Sequence, residues 1–144
     1  MLHAKLPVAV HVFVIKNNKI LFMKRINTAW QDHKWSVPAG RVNAGEAISR
    51  AAIREVKEEV GIKIKKQNLS KPLIMHFNDK KKERIYIFFT CRSYQGIPHN
   101  LEPKTCSYIK WFKLNQLPHK LLPRHITVAW NAILKGNAYL ELGF

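Results

Sequence analysis

The feature that most constrains the fold is an apolar run near the start of the chain, residues 8–15, with the sequence VAVHVFVI. Its alternating positions are apolar on both sides, and a strand with two apolar faces must be covered on each of them. The run therefore predicts a central strand between two layers. No small-residue cleavage site follows it, and it is far shorter than the roughly 18 apolar residues that span a bilayer. We therefore expect a strand, not a signal peptide or a membrane anchor.

The remainder of the chain alternates strand-like and helix-like patterns. Further strands are predicted over residues 20–23, 34–37, 73–77, 84–91 and 107–112. Helical periodicity covers residues 47–60, ended by Gly61, and residues 123–134, which begin at a proline and end before Gly136. The order of strands, helix, strands, helix favours an α/β fold in which a mixed sheet carries helices on its faces. The length of 144 residues, with 47% hydrophobic content, predicts one domain over residues 1–144.

The cysteine content indicates a reducing environment. Cys91 and Cys106 are the two cysteines, too few for a disulfide framework. Both lie among apolar, strand-like residues, so we expect reduced and buried thiols. This expectation fits a cytoplasmic protein that does not associate with a membrane.

Charge is the unusual bulk property. The chain has 25 Lys and Arg against 9 Asp and Glu, a net charge of +16, which predicts attraction to polyanions such as nucleotides, RNA or DNA. The basic residues are scattered, and a solvated basic surface is the simplest interpretation of their short runs. The acids are more informative, because four of the nine lie within residues 46–59. These four are Glu46, Glu55, Glu58 and Glu59.

The first predicted helix places three of these carboxylates together. At about 100° per residue, Glu58 and Glu59 lie within about 60° of Glu55, one on either side. The adjoining sector is apolar and predicts the packed face of the helix; its residues are Ala52, Ile53, Val56 and Val60. Like charges at this spacing repel each other. Two arrangements would relieve this repulsion. One is a bound cation, and the other is a solvated acidic face whose carboxylates pair with Arg50, Arg54 and Lys57.

The residues around this helix decide between the two interpretations. From Gly40, five residues lead to Glu46, seven more lead to Arg54 and Glu55, and VKEEVGI completes the run to residue 62. Residues 40–62 resemble the Nudix box at every defining position, including Gly61. The preceding WSVPAG, residues 35–40, is similar to the lead-in of that family. The chain is thus identified as a member of the Nudix hydrolases, MutT-like, and the resemblance implies a Nudix-type α/β/α sandwich.

The resemblance also implies a metal site. Glu55, Glu58 and Glu59 would bind Mg²⁺, or alternatively Mn²⁺, near the backbone carbonyl of Gly40. Hard divalent cations prefer such oxygen ligands, so the carboxylate face of the helix agrees with this implication. MutT-like members carry an additional metal-binding glutamate on a loop. Glu102 matches that place, although it is equally compatible with an exposed loop carboxylate.

Arg54 has two alternative roles. The resemblance implies that it pairs with Glu46 and holds the loop before the helix. Spacing alone makes it a simple (i, i+4) partner of Glu58. In either role its loss should disorder the site, so Arg54 joins Glu55, Glu58 and Glu59 as a candidate catalytic residue.

The mechanism follows from the needs of a diphosphate: neutralised oxygens, a positioned water and an activated leaving phosphate. By matching position, Glu55 or Glu59 is the base or a metal ligand.

Substrate contacts must come from outside the box, and four residues are candidates for phosphate contact and base stacking: Arg25, Trp30, Phe77 and Tyr86. Trp35 and Phe88 have strand-like neighbours and are expected to be buried.

These observations predict a nucleoside triphosphate pyrophosphohydrolase that releases a nucleoside monophosphate and pyrophosphate. The alternative within the family is an RNA 5′-pyrophosphohydrolase, which the positive charge would assist. A different class is a non-catalytic nucleic-acid-binding module on the same fold. A complete set of box carboxylates argues against that class, because free acids repel phosphate.

Overall fold

The computed structural model describes residues 2–144. Its strands are β1 (Val8–Lys16), β2 (Lys19–Arg25), β3 (Trp35–Ser36), β4 (Ala39–Arg41), β5 (Leu73–Asn78), β6 (Glu83–Cys91), β7 (Cys106–Lys113) and β8 (Tyr139–Leu142). Its α-helices are α1 (Ile48–Val60) and α2 (Arg124–Leu134), and single 3₁₀ turns lie at Lys66–Asn68 and His119–Leu121.

The strands form a mixed sheet with β1 near its centre. The main order is β3-β2-β1-β6-β5-β8, while β4 pairs with β1 and β7 pairs with β2. Strand β1 runs parallel to β6 and antiparallel to β2 and β4. Asn17 and Asn18 connect β1 to β2 with positive φ angles of 52° and 59°, which a tight hairpin turn requires. The predicted mixed sheet is therefore confirmed.

Two buried clusters cover the two faces of the sheet. Phe13 of β1 belongs to a cluster that includes Ile126 and Trp130 of α2. Val12, whose side chain alternates with that of Phe13, belongs to a second cluster that includes Val56 of α1. The two helices thus lie on opposite faces, and the predicted α/β/α sandwich with a central, doubly covered β1 is confirmed.

Two strands were not expected from the sequence. Strand β4 has the sequence AGR, which shows no strand-like alternation. It is a strand because its three residues pair with residues 9–11 of β1. Strand β8 is four residues long and pairs in parallel with β5. Both are short, so tertiary pairing, and not local propensity, decides their conformation.

The thiols and the apolar segments agree with the sequence-based expectations. Within the described chain, Cys91 and Cys106 are free and buried. Trp35 and Phe88 are buried in the sheet, as expected. Over residues 2–144, no helix is long and apolar enough to cross a membrane.

Candidate active site

The site is built where β4, the following loop and α1 meet. Helix α1 buries Ala51, Ala52, Val56 and Val60 against the sheet, which leaves its glutamates at the margin of the packed face. The prediction of the apolar stripe is confirmed, with Ala51 added and Ile53 only partly buried. Gly61 ends the helix at a φ of 76°, and a Cβ there would lie 2.5 Å from Cε1 of His99. The left-handed backbone therefore favours glycine, and a Cβ at this position would also require the exposed His99 ring to move.

Arg54 joins the loop to the helix. Its Nε donates to Glu46 Oε2 at 2.7 Å and its Nη2 donates to Glu46 Oε1 at 3.0 Å, a bidentate pair. Nη1 donates to Glu55 at 2.7 Å and to Glu58 at 3.3 Å, and Nη2 also donates to the carbonyl of Arg41 at 3.0 Å. Both roles that the sequence left open for Arg54 are thus present in its contacts.

The carboxylate of Glu46 is stabilised in its charged form. Hydrogen bonding from Arg54, followed by that from the backbone N–H of Asn43, lowers the pKa of Glu46 to about 2. The loop before α1 is therefore tied down by a charged contact at any pH near neutrality.

Glu55 is half-buried between Arg54 and β4. A Cβ on Gly40 would overlap the Glu55 carboxylate, so the carboxylate occupies the space that glycine leaves free. Burial raises the pKa of Glu55, and the neighbouring Arg54 opposes that shift. The protein's own groups consequently compensate the charged form of Glu55 only in part.

Glu59 is the acid with the least compensation. Its Oε2 accepts a hydrogen bond from the backbone N–H of Ala39 at 2.8 Å. Burial raises the pKa of Glu59 well above its usual value, the Ala39 bond opposes this, and Glu55, Glu102 and Glu58 raise the pKa further. A nearby cation would reverse this balance, because it favours the charged carboxylate.

A loop brings Glu102 to the same place. The N–H of His99 donates to the carbonyl of Val60 at 3.0 Å, and the N–H of Leu101 donates to the carbonyl of Glu59 at 3.0 Å. The loop is therefore attached to the last turn of α1, and Glu102 lies close enough to repel Glu59. The sequence could place Glu102 only on a loop between two strands; its proximity to Glu59 comes from these backbone contacts.

The donor set suits a hard divalent cation. Glu55, Glu58, Glu59 and Glu102 offer carboxylate oxygens and Gly40 offers a backbone carbonyl, the ligand types that Mg²⁺ and Mn²⁺ prefer. Two of these carboxylates are buried without a full counter-charge. Within residues 2–144, no three acidic, His or Cys side chains already converge on one metal-sized point. Glu55 faces Arg54, Glu59 faces Ala39, and Glu58 is largely exposed.

A basic and aromatic cleft of about 260 Å³ adjoins these acids through Gly40. Its positive groups are Arg25, Arg41, Lys82 and Arg84. Its rings are His11, Trp30 and Tyr86. Positive charge and flat aromatic surfaces in one cleft fit a nucleotide, which carries phosphates and a base.

Arg25 links the cleft to the acids. Its Nε donates to the carbonyl of Trp30 at 3.1 Å and its Nη2 donates to Thr28 Oγ1 at 3.0 Å. Burial lowers the pKa of Arg25, while Asp32 and Glu59 oppose the shift. Arg25 also lines a small cavity that contains Glu59. Its position between the two regions suits contact with a phosphate.

The aromatic candidates take different positions. Trp30 is partly exposed, and its ring stacks on His125 at 5.5 Å, with the ammonium of Lys82 4.8 Å from the ring centre. Tyr86 is only 2% exposed but lines the cleft. Phe77 stacks behind Tyr86 at 5.1 Å and is not among the residues that line the cleft. The structure therefore brings Arg25, Trp30 and Tyr86 together and leaves Phe77 in the core.

Four of the positive groups and rings of the cleft were missed at the level of sequence: His11, Arg41, Lys82 and Arg84. His11 is the one titratable side chain inside the apolar run of β1, and that exception was an available signal. Lys82 is the last of the three lysines at residues 80–82 and Arg84 follows them, and nothing in the local pattern separates either residue from surface charges. Arg84 lies in β6, which pairs with β1, and Lys82 directly precedes that strand.

Gly40→Ala is expected to reduce catalysis much more than stability. The added methyl group must displace the Glu55 carboxylate. Because this carboxylate is the movable end of a side chain, the fold can accommodate the methyl group with little loss of stability. A displacement of about 1 Å in a catalytic group costs about 10²-fold in rate. Initial rates and thermal melting of the variant and the wild type would measure both effects. Gly45→Ala is unsuitable as a control because Gly45 has a positive φ; Ala44→Ser, in the exposed loop, is the matched control.

Comparison with known proteins gives a consistent assignment. The model of the NUDIX domain matches residues 5–130. The 8-oxo-dGTP diphosphatase of Escherichia coli (strain K12) is 29% identical over 111 residues, covering 77% of this chain and 84% of the relative. The enzyme of the same name from Buchnera aphidicola subsp. Acyrthosiphon pisum is 31% identical over 107 residues, covering 74% of this chain and 82% of the relative.

A shorter match and a solved structure extend this picture. The ADP-ribose pyrophosphatase of Methanocaldococcus jannaschii is 42% identical over 55 residues, or 38% of this chain and 32% of the relative. A MutT NUDIX hydrolase from Burkholderia pseudomallei has the same fold, with a TM-score of 0.75 at 24% identity, covering 89% of this chain and 98% of that one.

Proposed function

This chain belongs to the NUDIX domain family, and we propose that it is a metal-dependent nucleoside triphosphate pyrophosphohydrolase. The products would be a nucleoside monophosphate and pyrophosphate. The observation that carries the proposal is the junction at Gly40 between the glutamates of α1 and the basic, aromatic cleft. The name of the E. coli relative, 8-oxo-dGTP diphosphatase, supports a nucleoside triphosphate as the substrate.

Mg²⁺, or alternatively Mn²⁺, would be held by Glu55, Glu58 and Glu59, with the Gly40 carbonyl and Glu102 as further oxygen donors. When bound, the metal supplies charge neutralisation on the phosphate oxygens and lowers the pKa of water. The burial of Glu55 and Glu59, which their neighbours compensate only in part, supports this assignment, since these acids gain most from a cation.

The protein's own groups bind and orient the substrate. Arg25 would contact a phosphate, because it lies between the cleft and Glu59. Trp30 and Tyr86 would hold the base by stacking, which contributes about 1 to 3 kcal/mol per base. Arg54 holds Glu46, Glu55 and Glu58 in position.

Glu59 or Glu55 would accept the proton of the attacking water. A carboxylate held within hydrogen-bond reach of the water can serve as that base. The water then attacks the α- or the β-phosphorus, and the anhydride bond between these two phosphates breaks to give the nucleoside monophosphate and pyrophosphate. The proton of the water remains on the carboxylate until it is released to solvent.

The net charge of +16 favours one alternative, the removal of pyrophosphate from the 5′ end of RNA.

The deciding experiment is a screen of nucleoside triphosphates, dinucleoside polyphosphates, nucleotide sugars and triphosphorylated RNA with Mg²⁺, scored by the phosphate species released. We expect pyrophosphate from at least one triphosphate and no turnover in the presence of EDTA. Release from RNA alone would favour the alternative. Metal-independent, salt-sensitive binding of RNA or DNA without any turnover would indicate a binding module instead.

A further inference from the structure

One acid organises the loop between β2 and β3, residues 26–34. Asp32 Oδ1 accepts a hydrogen bond from the backbone N–H of Thr28 at 3.0 Å, and its Oδ2 accepts one from the N–H of Ala29 at 3.2 Å. The hydroxyl of Thr28 also donates to Oδ1. These hydrogen bonds, above all the one from the hydroxyl, lower the pKa of Asp32. The carboxylate is therefore charged near neutral pH.

The hydroxyl of Thr28 connects this carboxylate to Arg25. Its single proton has two acceptors within reach, the Asp32 carboxylate and the carbonyl of Trp30 at 2.8 Å. The charged carboxylate is the stronger acceptor, so the proton points toward Asp32. The oxygen is then free to accept from Nη2 of Arg25, which lies 3.0 Å away and can only donate. The hydrogen bonds thus run in one direction, from Arg25 through Thr28 to Asp32.

The same loop holds Trp30 at the cleft in an unfavourable backbone conformation. Ala29 and Gln31, on either side of Trp30, have φ angles of 60° and 55°. Residues with a Cβ rarely adopt this left-handed region and keep it only where surrounding contacts hold them. Asp32, which accepts from the N–H of Ala29, and Arg25, whose Nε donates to the Trp30 carbonyl at 3.1 Å, supply such contacts. Loss of Asp32 should therefore loosen the loop and, with it, the hydrogen bonds of Arg25.

Arg25 keeps donors for a ligand, whereas Asp32 stays outside the cleft. Within residues 2–144, the guanidinium donates from Nε and Nη2, which leaves Nη1 without a protein partner. Arg25 lines both the cleft and the small cavity that contains Glu59, while Asp32 is among the lining residues of neither. Asp32 is therefore placed to act on a bound phosphate through its neighbours.

We propose that Asp32 is a positioning residue for substrate binding: through the Thr28 hydroxyl it fixes Arg25 in the orientation that contacts a phosphate of the nucleotide. This inference rests on the proposed function, which takes Arg25 as the phosphate contact. Its effect is opposite in sign to that of simple charge repulsion. Removal of a negative charge near a bound phosphate would by itself strengthen binding, whereas loss of a positioned Arg25 weakens binding.

Asp32→Asn and Thr28→Val are expected to raise the KM of the best triphosphate about tenfold, the loss expected for one charge-assisted hydrogen bond. The amide of Asp32→Asn places a donor against the N–H of Ala29 and is a weaker acceptor for the hydroxyl. The kcat should stay within about twofold of the wild-type value, because Arg25 contributes to binding and the acids of α1 are unchanged. Thr28→Ser restores the hydroxyl and should restore the low KM.

Asn68→Ala is the matched control. It removes a side-chain acceptor of a backbone N–H, that of Lys65 at 3.1 Å, from a loop that does not line the cleft. Both KM and kcat of this variant should equal those of the wild type. A rise in KM as large as that of Asp32→Asn would show a general effect of loop stability and would overturn the proposal.

A double-mutant cycle tests whether Asp32 acts through Arg25. Arg25→Met should raise KM by itself, and the addition of Asp32→Asn should then change KM by less than about twofold. Additive effects of the two substitutions would overturn the proposal. A lowered KM in Asp32→Asn, or a lowered kcat with an unchanged KM, would do the same. If Asp32→Asn does not fold, Thr28→Val carries the comparison.

Binding without turnover separates this inference from the proposed function. Calorimetric titration with Mg²⁺ and the α,β-methylene analogue of dGTP, whose bridging carbon resists hydrolysis, measures binding alone. An affinity about tenfold weaker in Asp32→Asn than in the wild type would support the inference even if no triphosphate is hydrolysed. Equal affinities, or no binding by the wild type, would overturn it even if triphosphates are hydrolysed.

Discussion

Glu59→Gln is expected to lower kcat by about 10²- to 10³-fold while the protein remains folded. The amide cannot accept the proton of water and is a poor ligand for Mg²⁺. It still fills the same volume and can accept the hydrogen bond from Ala39. Glu58→Gln should also lose activity, because Glu58 is a proposed ligand. Initial rates with the best triphosphate, together with thermal melting, would measure both properties.

The stability of Glu59→Gln has a predicted dependence on pH. The folded protein binds the Glu59 proton more tightly than the unfolded chain, because burial raises this pKa well above the ordinary 4.5. Without metal, the wild type therefore loses stability as pH rises from about 4.5 through the raised value. Glu59→Gln lacks this loss and should melt at a higher temperature than the wild type at neutral pH. Addition of Mg²⁺ should stabilise the wild type more than the variant.

Glu141→Gln is the matched control, since Glu141 hydrogen-bonds to Tyr139 in β8, away from the site. It should keep the activity of the wild type. Full turnover by both Glu58→Gln and Glu59→Gln would contradict the assignment of these residues.

Arg54→Ala is expected to lower both activity and stability. The substitution removes the bidentate pair with Glu46 and the contacts to Glu55 and Glu58. Three carboxylates then repel one another without a counter-charge, and the loop before α1 loses its attachment. We expect a loss in kcat/KM of about 10²-fold and a fall of a few degrees in the melting temperature.

The stability difference caused by Arg54→Ala should also vary with pH. The pKa of Glu46 is lowered to about 2 in the folded protein, from an ordinary 4.5. Because the folded protein holds Glu46 in its charged form, this group stabilises the fold above about pH 4.5, and the stabilisation is lost as the pH falls toward 2. The melting curves of wild type and variant should therefore approach each other over that range. Arg50→Ala, an exposed arginine on the same helix, is the control; an equal effect from it would argue against a special role for Arg54.

The local patterns of this chain predicted its main elements correctly. A doubly apolar β1 required cover on both faces, and α1 and α2 supply that cover. The spacing of Glu55, Glu58 and Glu59 placed them on one face of α1, since helical periodicity is a property of neighbouring residues. Strands β4 and β8 were missed, because each depends on a partner that is distant in sequence.

The cleft, by contrast, is a product of tertiary structure. Phe77 and Tyr86 looked equivalent as ring-bearing strand residues, and both lie on the same face of the sheet. Only Tyr86 lines the cleft, because its strand β6 neighbours β1, whereas Phe77 lies one strand farther away on β5. The same holds for His11 and Arg84, which line one cleft because their strands β1 and β6 are neighbours in the sheet. Short-range periodicity in the sequence thus determined the fold class and the acidic face of α1. The long-range pairing of strands and loops decided which side chains meet those acids, since such contacts depend on chain segments far apart in sequence.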